Sequence, residues 1–238
     1  MNSTSERGHA KNVAFFETLI AYCNGYGANY NPSNNRLLLS NLNDKLDTAR
    51  VKVKAVKVTK QPFDSVVGAR QLLFKPLKPY GTRVINALIS QGAPETVIKD
   101  ARTIIRKLTG KRADNTVNDT PEQNHVSVSQ QSYDRLIDHF EELIVLAQTE
   151  SSYDPNEVDL KITALQTFLD SIMASNTQVK NALVPYSSAL IARDKELYET
   201  EMGMVDIALE AKKYVKSVFG ASSPEYRQIS GLQFSRPK

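Results

Sequence analysis

The sequence has little of what most chemistry requires. It holds one cysteine, Cys23, and three histidines, His9, His125 and His139, in 238 residues. One cysteine cannot close an internal disulfide, which fits a reducing compartment. It reads as a small buried apolar residue on the first helix, and no local signature supports a nucleophile there. No run approaches the roughly 18 apolar residues of a membrane span, and the opening MNSTSERGHAKNVAFF lacks a basic start followed by an apolar stretch. These absences lead to the expectation of a soluble, cytoplasmic protein without membrane association. Strand-like alternation is scarce, and glycine and proline number only ten each. Hydrophobic content of 41%, charged content of 24% and a mean hydropathy of -0.37 are those of a globular chain.

The chain does contain an echo of itself. YNPSNNRL, from Tyr30 to Leu37, returns as YDPNEVDL, from Tyr153 to Leu160. At an offset of 124, Ser3, Ser5, Phe16, Glu17, Leu19 and Ile20 meet identical residues, six in eighteen positions. At an offset of 123, residues 30–70 and 153–193 share twelve identities in forty-one positions, among them Tyr30/Tyr153, Pro32/Pro155 and Arg70/Arg193. Composition alone gives roughly one identity in fifteen. ARTIIRKLTG (101–110) and AKKYVKSVFG (211–220) also share their alanine, basic, apolar and final glycine positions. The reading is a tandem duplication: residues 1–112 as a first helical unit with a basic second half, 113–130 as a polar linker, and 131–238 as an acidic second unit. Repeats of about 100 residues are too long for ordinary solenoid units.

Helical periodicity dominates. Leu38, Leu42, Leu46, Ala49, Val53 and Val56 form one apolar stripe, matched by Leu165, Leu169, Ile172, Val179 and Leu183 with Asn176 as the intervening step. VKVKAVKV (51–58) alternates but continues that stripe, so it reads as helix. Each unit is expected to begin with a helix (6–24 and 130–149) and continue with a long one (32–60 and 155–183). The second helix is expected to be capped by Asn31 or Asp154, with Pro32 or Pro155 in its first turn. A third is expected to start near Pro62 and Pro185. In the first unit it should break near Pro76, Pro79 and Gly92, whereas residues 188–220 carry no proline and are expected to run as one helix. The fold class is all-α, two homologous antiparallel helical-bundle units with long amphipathic helices.

Candidate chemistry is thin. DHFEEL places Asp138, His139, Glu141 and Glu142 together, but a bundle metal site uses Glu-x-x-His from two helices, and the matching AFFETL supplies only Glu17. YDPNEVD lacks the glycine and the distal glutamate of a calcium loop. GYGANYN and TGKR lack the spacing of a phosphate loop. No nucleophile, cofactor or metal site follows, and the expectation is a protein that is not an enzyme. Arg70 and Arg193 end matching segments; they either grip an anion or pair with an acid of their own bundle.

Charge is segregated instead. Residues 50–112 hold fifteen Lys and Arg against Asp64, Glu95 and Asp100, while residues 133–238 hold eleven basic and sixteen acidic residues. Arg50, Lys54 and Lys57, then Lys99, Arg102 and Arg106, recur at helical spacing and form the candidate basic interaction face. Two functions follow: a structural or protein-interaction module that self-associates through its basic and acidic halves, or a sequence-nonspecific nucleic-acid binder using residues 50–112. No aromatic residues are interleaved with the basic ones as a nucleic-acid platform prefers.

The stretches SERGHAKNVAFFETLIAYCNGYGANYNPSN, RKLTGKRA and YVKSVFGASSPEYRQISGLQFSRPK resemble an uncharacterised family of bacterial tandem-duplicated helical proteins of unknown function. The resemblance covers nearly the whole chain and implies an all-α duplicated fold. It carries no activity or catalytic residue.

Overall fold

The computed structural model describes residues 4–110 and 131–237, and every regular element among them is helical. The expected linker 113–130, and His125 with it, lies outside the described residues. The elements are α1 (Thr4–Gly25), α2 (Leu39–Phe74), α3 (Leu77–Ser90), α4 (Glu95–Thr109), α5 (Tyr133–Thr149), α6 (Ile162–Tyr198), α7 (Met204–Phe219) and α8 (Pro224–Ser230). Short 3-10 turns at Asn35–Leu37 and Val158–Leu160 lead into α2 and α6.

The chain divides into two compact units, and neither is a contiguous half. One joins residues 1–63 to 182–238, and the other is residues 64–181. This differs from the division at 113–130 expected from the repeat. The crossing points lie beside Pro62 and Pro185, which sit inside α2 and α6 instead of starting new helices. The expected third helices are therefore the distal parts of α2 and α6. An interior proline removes one i→i−4 hydrogen bond, here to Val58 or Asn181, without obliging the chain to turn.

In the unit formed by residues 64–181, α3 packs on α4, on α5 and on the 158–160 turn, and α4 packs on α5. Leu77, Gly81, Val84, Ile85 and Leu88 make the buried face of α3 at steps of four, three, one and three. Gly81 is required there by close approach, since a Cβ would stand 2.8 Å from Ile105 Cδ1. Phe140, Leu143 and Ile144 from α5 and Leu165 and Ile172 from α6 complete this core. Ser132 caps α5 through the Arg135 N–H, and Gly110 closes α4 in the left-handed region at φ 74°.

In the unit formed by residues 1–63 and 182–238, α7 packs on α1, on α8 and on the 35–37 turn. Phe16, Leu19, Ile20 and Cys23 from α1 meet Leu42 and Leu46 from α2, Leu197 from α6, and Met204, Ala208, Ala211 and Val215 from α7. The tail after α8 is tied to α1: Asn12 Nδ2 donates to Ser235 O at 2.7 Å and Ser235 N donates to Asn12 Oδ1 at 3.1 Å. His9 Nδ1 lies 2.6 Å from Tyr198 Oη, which gives this buried histidine a structural role.

Three further expectations need correction. Residues 188–220 do not form one helix: α6 ends at Tyr198, Glu201 takes φ 66°, and α7 starts at Met204. Gly203 permits the turn because a Cβ there would lie 2.7 Å from the Glu199 backbone. The first-copy break falls at Pro76 and Gly92 but not at Pro79, which lies within the first turn of α3. The ARTIIRKLTG/AKKYVKSVFG match also misplaces the partners. By its contacts α7 stands where α3 does, against the first helix and the 3-10 turn of its unit, rather than where α4 does.

Candidate functional site

The turn before each long helix is where residue identities and structure meet most closely. Asn31 and Asp154 do not cap α2 and α6, which begin at Leu39 and Ile162. Pro32 and Pro155 are instead buried in irregular segments ahead of the 3-10 turns, which Leu37 and Leu160 anchor. Tyr30 Oη donates to Leu37 O at 2.8 Å, and Tyr153 Oη donates to Leu160 O at 2.8 Å. The neighbouring backbone N–H groups are also held: Asn31 N donates to Tyr214 Oη at 3.1 Å, and Asp154 N donates to Gln91 Oε1 at 3.0 Å. Burial pushes the Tyr153 hydroxyl up to about 12 and raises that of Tyr30 further, so both remain donors. Tyr30→Phe and Tyr153→Phe should each cost about 1–2 kcal/mol in urea unfolding, since each strands a buried carbonyl. Equal melting of variant and parent would show that the hydroxyls contribute nothing.

The two repeat-equivalent arginines are both engaged inside the protein. Arg70 Nη1 donates to Asn176 Oδ1 at 2.7 Å, and its guanidinium lies 3.8 Å from the Tyr133 ring centroid. Asn176 Nδ2 and Lys180 Nζ both donate to Asp134 Oδ1 at 2.8 Å. The Lys180 hydrogen bond, opposed by desolvation, holds the Asp134 carboxyl below its ordinary range. Arg193 is 5% exposed, and its Nε donates to Asp194 Oδ1 at 2.8 Å. Arg70 Nε is itself buried without a hydrogen-bond partner among the described residues.

The candidate basic residues fall in different units. Arg50, Lys54 and Lys57 lie on the proximal part of α2, whereas Lys99, Arg102 and Arg106 lie on α4. Arg50 is held by Glu17 at 2.6 Å and Arg102 by Glu95 at 2.9 Å. Lys54, Lys57, Lys99 and Arg106 are exposed and carry no ion pair among the described residues.

Nucleophiles and metal ligands are similarly absorbed. Burial pushes the Cys23 thiol up to about 12, so no thiolate forms there near neutrality. His139 is buried with Nδ1 3.4 Å from Glu142 Oε2. No group of three His, Cys, Asp or Glu among the described residues is placed to hold a metal ion. No helix among them is long and apolar enough to cross a membrane.

Ion pairs between the two sequence halves are what counting charges did not find. Among the described residues such pairs include Arg36 to Glu210 at 3.3 Å, Lys45 to Glu196 at 2.9 Å, Lys107 to Glu142 at 3.9 Å, and Arg83 bidentately to Asp159. In each the base comes from the first half and the acid from the second. The hint was present at the offset of 123, where Arg36 aligns with Asp159 and the sign inverts. Residues 64–181 hold thirteen basic and fifteen acidic residues, a net of -2, which leaves +6 of the chain's +4 to the other unit. The segregation of the linear sequence, +12 for residues 1–112 against -8 for 113–238, is thus reduced to +6 against -2 between the compact units. Comparison with protein-family models, curated proteins and solved structures finds no match.

Proposed function

We propose that this chain is a non-enzymatic structural or protein-interaction module, a duplicated helical unit whose basic and acidic halves associate within one chain. The observation that carries this reading is the shared polarity of Arg36–Glu210, Lys45–Glu196, Arg83–Asp159 and Lys107–Glu142, each with its base in the first half and its acid in the second. Corresponding hydrogen bonds at Tyr30 and Tyr153 support the duplication, as does the stacking of Phe63 on Tyr186, residues 123 apart, at 5.4 Å. Light scattering should give about the 26.5 kDa chain mass at low and high salt. A larger mass that falls as salt rises would place the association between chains and overturn the single-chain reading.

A second reading, sequence-nonspecific nucleic-acid binding, is favoured by the exposed Lys54, Lys57, Lys99 and Arg106. A low-salt mobility shift of DNA or RNA, lost on charge reversal of Lys54, Lys57, Arg102 and Arg106, would establish it. No shift at low salt removes it.

A further inference from the structure

The two copies bury the same positions. Leu37, Leu42 and Leu46 are buried in one unit, and their counterparts Leu160, Leu165 and Leu169 in the other. Apolar burial is therefore a weak guide to which second half docks on which first half. Sign is a strong one. In each unit an opposed pair bridges the 3-10 turn to the helix lying against it: Arg36 to Glu210 on α7, and Asp159 to Arg83 on α3. The turn residues occupy one repeat position with opposite charge, and so do the helix residues by their contacts. If each copy folded on itself, Arg36 would meet Arg83 and Asp159 would meet Glu210, two like-charge contacts in place of two ion pairs.

We propose that these four residues are a recognition code: their signs dock the second half of each copy on the first half of the other, making the two halves of one chain each other's specific partners. This rests on the duplicated reading above. Lys45 with Glu196 and Lys107 with Glu142 repeat the same polarity elsewhere in the two units. The signs, not the pair energies alone, carry the discrimination, because every miscombination replaces attraction with repulsion.

The test refolds the full chain from denaturant at low salt, isolates monomer, and applies a zero-length carbodiimide cross-linker with peptide mass spectrometry. The wild-type protein should link Lys45 to Glu196 and Lys107 to Glu142; absence of both links overturns the exchanged reading, in which the second half of each copy docks on the first half of the other. In R83E/E210R, which makes self-folding the attractive combination, both links should fall by at least about threefold. The variant R36E/R83E/D159R/E210R, which restores both opposed pairs, should recover them. Wild-type link yield in R83E/E210R overturns the code while leaving the exchanged reading standing. Should R83E/E210R fail to fold, recovery by the fourfold variant supports the code, and failure of that variant also overturns it.

Discussion

Phe140→Ala should lower the free energy of unfolding by about 3–5 kcal/mol, the cost of truncating a fully buried aromatic residue. Phe140 has no exposed surface and stands edge-on to Phe168 with ring centroids 5.6 Å apart. Its loss removes apolar transfer energy, the dispersion contacts of its neighbours and the edge-to-face pair together. Phe16, its counterpart at the offset of 124, is equally buried in the other unit, so Phe16→Ala should cost a similar amount. Urea unfolding followed by circular dichroism measures both. A cost below about 1 kcal/mol for either would contradict its place at the centre of a packed core.

Pro62→Ala and Pro185→Ala should act in the opposite direction, each stabilising the chain by about 1–2 kcal/mol. Both prolines are exposed and lie inside continuous helices. Alanine restores the missing N–H and removes the clash with the carbonyl four residues earlier, a gain of up to about 3 kcal/mol. Part of this is offset because alanine gives the unfolded chain more conformational freedom than proline does. Midpoint urea concentrations of the two variants test the sign. A loss of stability in both would mean that the pyrrolidine rings are needed where they stand.

Much of the local architecture was legible in the residues. The stripe from Leu42 to Val56 is helix, including VKVKAVKV, because its step of three and four is set by the geometry of one turn, whereas Leu38 precedes α2 in an extended conformation. Cys23 is buried on α1, as expected of a lone small apolar residue there. The echo of YNPSNNRL in YDPNEVDL was visible, but its use was not. A phenol reaching seven residues along the chain to a carbonyl leaves no periodic mark, and an Asn-Pro or Asp-Pro pair resembles a helix start whether or not a 3-10 turn intervenes. The prolines misled for a related reason. Proline favours a first turn, but where packing supports the helix on both sides one lost hydrogen bond is affordable.

The candidate site divides in the same way. Arg70 and Arg193 stood out in the sequence, but only folding could bring Tyr133 and Asn176 to Arg70. The charge imbalance was countable. Its pairing was not, because Arg36 and Glu210 are 174 residues apart and Arg83 and Asp159 are 76 apart. The sequence by itself determined the all-α class, much of its apolar faces, the recurrence of YNPSNNRL as YDPNEVDL and the segregated charge, all properties carried by neighbours along the chain or by composition. The tertiary structure alone decided that α2 and α6 continue through their prolines and that each compact unit draws on both halves. Those outcomes depend on which distant surfaces meet, and Leu37, Leu42 and Leu46 are buried as Leu160, Leu165 and Leu169 are, so periodicity ranks the alternatives equally and only contacts between the halves separate them.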